Sequence, residues 1–326
     1  MVRIIAWEVT RRCPLACRHC RAGAQDCTYA DELSTDECLR VIDSIAAEGS
    51  PMIIFTGGEP MYREDLPALV RHASKKGLRS VLAPCGKLVT EESLLALKEA
   101  GIKACSFSVD GPTKELHDSF RGIDGAFEQI TGAMAIARKI GMPFQMNAAV
   151  SRLNVHALPQ MRDLAFDLGA SMVDFFFLVP VGRGKGLADQ ALSPDEAEAA
   201  LKWIGAERRG KIPLRVTCAP QSVRIWNGEG TGCMGGKGFV FISHTGVLQP
   251  CGFLDIACGN LRDFDFNFPA AYKASSVFAD LQNPDKLKGG CGNCGFKTLC
   301  GGCRARAFSA TGDYLEAETT CRLCQH

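Results

Sequence analysis

Up to about residue 180 the chain alternates between two patterns of apolar and polar positions. Short apolar runs of strand character fall at 3–9, 52–55, 79–83, 103–109, 143–150 and 172–178. Between them, at 35–48, 63–76, 90–100, 125–140 and 155–168, apolar residues recur every three or four positions, as helices require. Leu39, Ile42, Ile45 and Ala46, for example, share one helical face. Gly49, Gly77, Gly101, Gly141 and Gly169 end these segments, at the position where a helix exits through a left-handed residue. Six such alternations predict a parallel sheet with right-handed crossovers. They are too few for a closed eight-stranded barrel. The expected fold class is therefore α/β, a partial (β/α)6 TIM-type barrel open on one side.

The pattern changes after Pro180. A loop, Gly182-Arg183-Gly184-Lys185-Gly186, leads to a helix at about 194–208, with Ser193 as its N-cap and Pro194 in its first turn. From about 211 the chain is rich in glycine and cysteine and shows one hairpin, 238–243 and 247–250 around His244-Thr245-Gly246. The expected division is 1–210 as the barrel and 211–326 as a small module too poor in apolar residues to fold on a core of its own.

Composition narrows the classes. Hydrophobic residues make up 46% of the 326 and charged residues 22%, as in ordinary globular proteins. A net charge of +1 gives no bulk field to recruit nucleic acid or an anionic membrane. The start has no signal-peptide pattern, and no apolar run reaches the ~20 residues that span a bilayer. A cytoplasmic location follows as the expectation. Of 17 cysteines, six lie from Cys291 onward in C-x2-C-type spacing, which in such a compartment points to metal more than to disulfides. Isolated Cys38, Cys85 and Cys105 read as small buried hydrophobes.

Cys13, Cys17 and Cys20 stand in the spacing C-x3-C-x2-C directly after the first strand. Three thiolates suit an iron–sulfur cluster with one iron left free better than a closed four-ligand zinc site. With His19 before the third cysteine, the motif resembles the radical S-adenosylmethionine (SAM) superfamily. The resemblance implies a 4Fe–4S cluster whose free iron binds SAM, and one-electron cleavage of SAM to methionine and a 5′-deoxyadenosyl radical, with the protein supplying position and electrostatics. Gly57-Gly58-Glu59-Pro60, after the second strand, is similar to the family's SAM-amine motif. Ser108 and Asp110 at the end of the fourth strand match its contacts near the SAM ribose and methionine; Arg121 and Asn147 are further candidates. At the end of the third strand Pro84-Cys85-Gly86 replaces an Asn-containing turn, and a thiol lacks an amide's donors, so no SAM contact is carried to Cys85.

The C-terminal cysteines resemble the SPASM module of radical SAM maturases, except that two residues lie between Cys300 and Cys303 where three are usual. By that resemblance Cys291, Cys294, Cys300 and Cys321 hold one auxiliary 4Fe–4S cluster, and Cys233, Cys251 and Cys303 a second. Its fourth ligand is Cys218 first, Cys258 second, or an open iron; Cys324 is a spare. Zinc remains the alternative, because spacing alone does not separate the metals.

Longer stretches are similar to the radical SAM heme synthases of the siroheme-dependent pathway: Ile5-Ala6-Trp7-Glu8-Val9-Thr10, Leu178 to Lys185, Phe241 to Gly246, Gln249-Pro250-Cys251-Gly252, and Cys300 to Ala307 through Thr311 to Leu315. The resemblance implies decarboxylation of two propionates of iron-coproporphyrin III to vinyl groups, giving heme b, with a low-potential donor such as ferredoxin or flavodoxin. Arg183, Lys185, Arg304 and Arg306 would suit the porphyrin carboxylates. His244, in a hairpin turn, is expected in solvent unless it approaches the iron. Related enzymes of heme d1 synthesis or siroheme deacetylation, and SPASM peptide maturases, share this vocabulary. The twelve residues before Cys13 leave no N-terminal leader-binding domain, which disfavours the maturases.

Overall fold

The computed structural model describes residues 2–324. The predicted strands and helices are present, together with a short helix at Lys114–Arg121 that the periodicity did not mark. In chain order they are β1 (Ile4–Thr10), α1 (Thr35–Ala47), β2 (Met52–Gly57), α2 (Leu66–Lys75), β3 (Ser80–Leu82), α3 (Glu91–Ala100), β4 (Ile102–Ser108), α4 (Lys114–Arg121), α5 (Ala126–Lys139), β5 (Phe144–Val150), α6 (Leu158–Leu168), β6 (Val173–Phe177) and α7 (Pro194–Glu207). Ser193 caps α7 with a reciprocal box, its hydroxyl accepting from the Glu196 N–H while Glu196 accepts from the Ser193 N–H. The glycines after α3 and α6, Gly101 and Gly169, have φ of +128° and +87°, a region that penalises any side chain.

The sheet is larger than six strands. Its order is β7-β6-β5-β4-β3-β2-β1-β8-β9, where β7 is Leu214–Thr217, β8 is Phe239–Ile242 and β9 is Leu248–Gln249. All neighbours are parallel except the β8–β9 hairpin. The expected boundary near 210 is thus no break in the sheet, because strands from beyond it extend the sheet at both ends. The rest of the C-terminal segment carries α8 (Ser222–Ile225), α9 (Phe268–Ala274), α10 (Ser276–Gln282), α11 (Gly289–Gly292) and α12 (Arg304–Thr311).

One face of the sheet is covered and the other is polar. On β5 the side chains of Phe144, Met146, Ala148 and Val150 are buried, while Gln145, Asn147 and Ala149 between them are half-buried. The covered residues join Ile5, Trp7 and Val9 of β1, Ile53 and Phe55 of β2, and the inner faces of α1 to α3 and α5 to α7 in one core. Each such Val, Ile, Leu or Phe contributes about 1.5–3 kcal/mol on burial. The opposite, open face carries Glu8, Thr56, Ser106, Ser108, Asn147, Asp174 and Thr217. Among the described residues no helix is long and apolar enough to cross a membrane.

Candidate functional site

Cys13, Cys17 and Cys20 lie in the loop that follows β1, where the carboxyl ends of the strands meet. The thiols of Cys13 and Cys17 are buried with Leu15 and Ala24; Cys20, Ala22, Cys85 and Ile123 pack against them. Burial pushes the Cys13 thiol up to about 12, and the neighbouring Cys17, Glu59 and Cys20 add to the shift. Bringing these sulfurs together as thiolates requires a cation among them, so the donor set fits a metal centre that displaces the protons.

The loop is clamped from several sides. The Arg183 guanidinium donates to the carbonyls of Cys17 (2.9 Å) and Ala24 (2.7 Å), and its N–H to Cys20 O (3.0 Å). A Cβ on Gly182 would stand 2.2 Å from Arg21 O, so only glycine lets this turn reach the loop. Asp110 is buried, accepts the Ala149 N–H at 2.8 Å, and faces Arg121 Nε at 2.7 Å and His19 Nε2 at 3.6 Å. Burial opposes its charge, but Arg121 and then His19 and His117 hold the carboxyl below its usual range. Burial lowers His19 to about 4, leaving the imidazole neutral at physiological pH. Arg121 also donates to Cys17 Sγ at 3.6 Å. Asp110 and Arg121 are therefore braces of the cysteine loop. Asp110 Oδ1 takes the Ala149 N–H, whereas Oδ2 faces Arg121 and His19 without a hydrogen-bond partner.

The Gly57-Gly58-Glu59-Pro60 turn also has a local reason for its residues. A Cβ on Gly57 would lie 2.2 Å from Thr10 O, and one on Gly58 2.3 and 2.4 Å from the Arg11 and Arg12 carbonyls. The glycines let the end of β2 lie against the start of the cysteine loop. Glu59 is buried and accepts from the Met61 N–H (2.9 Å) and the Cys85 N–H (2.5 Å), and Pro60 opens the 3-10 turn that follows. Cys85 thus pins Glu59 through its backbone and touches the cysteine cluster through its side chain, a placement its isolated position in the sequence did not signal. Ser108 and Asn147 are register partners on the open face. Asn147 donates to Ser106 Oγ (2.7 Å) and accepts from Gln145 Nε2 (2.8 Å).

A second buried network went unforeseen. Glu8 is fully buried and accepts from Arg11 Nε (3.0 Å) and Arg21 Nη2 (3.2 Å), with His244 Nδ1 at 2.8 Å. Burial opposes its charge, yet His244, Arg21 and Arg11 lower the carboxyl to about 2. His244 is therefore buried against β1 and is not a solvated turn residue.

The C-terminal cysteines form two sets. In the first, the Cys218 thiol donates to Cys303, and Cys233 and Cys251 stand beside them. This contact lowers Cys303 to about 7 against its burial. Cys258 lies apart in the main core, its thiol donating to Ile256 O. In the second set Cys324 Sγ is 3.7 Å from Cys291 Sγ and also bonds Cys321; Cys300 is close to both. Cys324 is therefore within the set and not a spare. Cys294 accepts the Phe296 N–H at 3.4 Å. Among the described residues no three or more His, Cys, Asp or Glu side chains close around a single-ion position.

Three of the four basic residues expected to meet carboxylates are engaged within the protein. Arg183 gives Nε and Nη1 to the cysteine loop, and its Nη2 has no hydrogen-bond partner. Arg304 donates to the carbonyls of Gly302, Tyr314 and Glu316 and to Cys291 Sγ, and Arg306 to Glu318, Phe177 O, Leu178 O and Cys218 O. Both are buried, so neither reaches a substrate; Lys185 alone is exposed. Sequence shows a basic residue but not the carbonyls that will surround it.

Comparison with known proteins agrees with this architecture. Residues 7–165 match the Radical SAM superfamily. An AdoMet-dependent heme synthase of Oleidesulfovibrio alaskensis is 43% identical over 98% of this chain and 87% of its own length. One of Methanosarcina barkeri is 41% identical over 98% of this chain and 96% of its own. Among solved structures, native anSMEcpe with bound AdoMet superposes with a TM-score of 0.75 at 19% identity, covering 99% of this chain and 94% of that one, a likeness of fold. A cysteine loop clamped at the sheet's carboxyl edge and a likeness that runs the length of the chain lead to one family: the protein belongs to the radical SAM superfamily, alongside the AdoMet-dependent heme synthases.

Proposed function

We propose that the protein is a radical SAM heme synthase that converts two propionates of iron-coproporphyrin III to vinyl groups, giving heme b. The observation that carries this reading is the full-length similarity to heme synthases in a chain whose three-cysteine loop is locked over a polar sheet face. Cys13, Cys17 and Cys20 would hold the 4Fe–4S cluster, and the Gly57–Pro60 turn with Ser108 and Asn147 would line the SAM position. Together these groups supply, when bound, a 5′-deoxyadenosyl radical that removes one β-hydrogen from each propionate, after which CO2 and one electron leave. The chain's own part is to hold the loop through Arg183, Asp110 and Arg121 and to keep water from it by burial.

The segment 211–326 would carry two auxiliary 4Fe–4S clusters. Cys218, Cys233, Cys251 and Cys303 form one ligand set, which fills the fourth position with Cys218. Cys291, Cys294, Cys300 and Cys321 form the other, with Cys324 placed to compete for a ligand position. The electron removed from substrate needs such an acceptor, and potential there follows local charge and hydrogen bonds. A low-potential donor such as ferredoxin or flavodoxin would reduce the first cluster, with no nucleic acid or membrane partner.

The test is an anaerobic assay of reconstituted, reduced protein with SAM and iron-coproporphyrin III. Product masses stepping down by one and then two decarboxylations, with 5′-deoxyadenosine in proportion, support the proposal. Deoxyadenosine with an unchanged porphyrin would overturn the substrate and turn the search to other tetrapyrroles, then peptides.

A further inference from the structure

Buried arginines stand beside both auxiliary cysteine sets, and their charges are balanced differently. Arg306, 3% exposed, meets Glu318, 1% exposed, at 3.0 and 3.1 Å, so the pair is neutral. Arg224 reaches Cys321, but Glu198 accepts from it at 2.6 Å. Arg304 is different. It is 4% exposed, and among the described residues no carboxylate lies within 4.0 Å of it. The nearby Asp313 is held by Lys288. Arg304 donates instead to the carbonyls of Gly302 (3.2 Å), Tyr314 (3.1 Å) and Glu316 (2.7 Å), and to Cys291 Sγ at 3.4 Å.

A guanidinium does not lose its proton in a protein. Buried with neutral acceptors alone it would cost several kcal/mol, so its counter-charge has to sit on the cysteines around it, first on Cys291, which its guanidinium touches, and then on Cys233. The backbone is shaped for this contact. Gly302, at φ +60°, has its Cβ position 2.3 Å from Arg304 Nη2 and 2.9 Å from Cys291 Sγ, so a side chain there would push the guanidinium off the sulfur. The Glu318 N–H adds a second donor to the same sulfur at 3.3 Å.

We propose that Arg304 is a positioning residue that raises the reduction potential of the cluster on the Cys291 set above that on the Cys218 set, and so makes the outer set the final acceptor. This rests on the cluster assignment proposed above. Each propionate gives up one hydrogen atom, one CO2 and one electron on becoming vinyl; that electron adds one negative charge to its acceptor, and an uncompensated guanidinium at the sulfur favours the addition. Arg306 binds the carbonyls of Phe177 and Leu178 at the end of β6, which places the Cys218 set next to the sheet. Cys300 and Cys303 belong to different sets yet are three residues apart, so their Cα atoms are at most about 11 Å from each other.

The experiment is an EPR-monitored redox titration of the reconstituted full chain, with iron and sulfide assayed in parallel and signals assigned by comparison with Cys251→Ala. A charge-assisted hydrogen bond of about 1.5–3 kcal/mol sets the scale. Arg304→Gln should weaken reduction of the Cys291-set cluster at least tenfold, about 59 mV for one electron, and move the other cluster, whose Cys233 feels the same charge from farther off, by clearly less. Arg304→Lys, which keeps the charge, should recover most of that loss. Glu318→Gln, which uncovers Arg306, should shift the Cys218-set cluster upward. An Arg304→Gln protein with full iron and an unchanged potential, or with both clusters lowered equally, would overturn the proposal. If Arg304→Gln loses iron, a Glu318→Gln titration with no upward shift overturns it instead. Wild-type protein lacking auxiliary iron would defeat the cluster assignment itself, a separate and recognisable result.

Discussion

The sheet with its helices and the cysteine-rich C-terminal segment are held together by different means. In the first, strands and helices share one apolar core that runs from Ile5 on β1 to Ile204 on α7 and takes in Val240, Leu261, Phe268 and Phe278 from the start of the later segment. In the second, the compact apolar group is small, with Val179, Leu254, Leu281, Cys303 and Ala305 at its centre. Buried polar ties take over there: Arg306 alone joins Glu318, Thr320, two carbonyls after β6 and Cys218 O. A hydrophobic core tolerates small losses gradually, whereas a buried charge that loses its partner does not. The two regions should therefore fail in different ways.

The sharpest break in function, with little break in fold, is expected at the cysteine loop. Cys17→Ala should reduce SAM cleavage to background, read as 5′-deoxyadenosine, while circular dichroism stays that of the parent. The opposite outcome is expected in the C-terminal segment. Arg306→Met leaves Glu318 buried and unpaired and should cost about 3–5 kcal/mol in denaturant unfolding; replacing both residues by apolar ones should restore much of it.

Glu8 sits where the two regions meet, and its effect depends on pH. Its folded carboxyl is lowered to about 2, from the ordinary 4.5. Its contribution, about 3 kcal/mol at 1.36 kcal/mol per pH unit, is present above pH 4.5 and is lost as the pH falls toward 2. The stability gap between wild type and Glu8→Gln should close over that window; a gap that is constant with pH would refute the network. The smallest effect belongs to the sheet region. Ser193→Ala removes one helix cap and should cost about 1 kcal/mol, read as a shift in the denaturant midpoint.

This contrast also decides what could be read before folding. Alternation and helical spacing located β1 to β6 and their helices because each buries one face against the same core. They did not locate β7 or β8 as members of the sheet. Both are four residues long, and β8 pairs with β1 from the far end of the chain. Spacing named the cysteines but only part of their company: Cys218 stood first among the candidates to join Cys303, as the fold has it, whereas the meeting of Cys324 with Cys291 shows only in the fold. The burial of His244 and of Arg304 and Arg306 was equally hidden, because Glu8, Glu318 and the accepting carbonyls come from distant segments. Gly57 and Gly58 were legible as a site, but part of their reason is the backbone of Thr10 to Arg12.

The insertion of β8 beside β1 has a consequence for how the molecule is made. β1 leads directly into the cysteine loop, and one of its hydrogen-bonding edges is covered only when Phe239 to Ile242 arrive. During synthesis that edge stays open while nearly three quarters of the chain emerges, and unpaired edges invite wrong partners. His244, which hydrogen-bonds Glu8 at the root of the loop, arrives with the same segment. β1, which precedes the other strands of the sheet, is thus among the last to be completed, and the cysteine loop gains its full support only after β8 has been made.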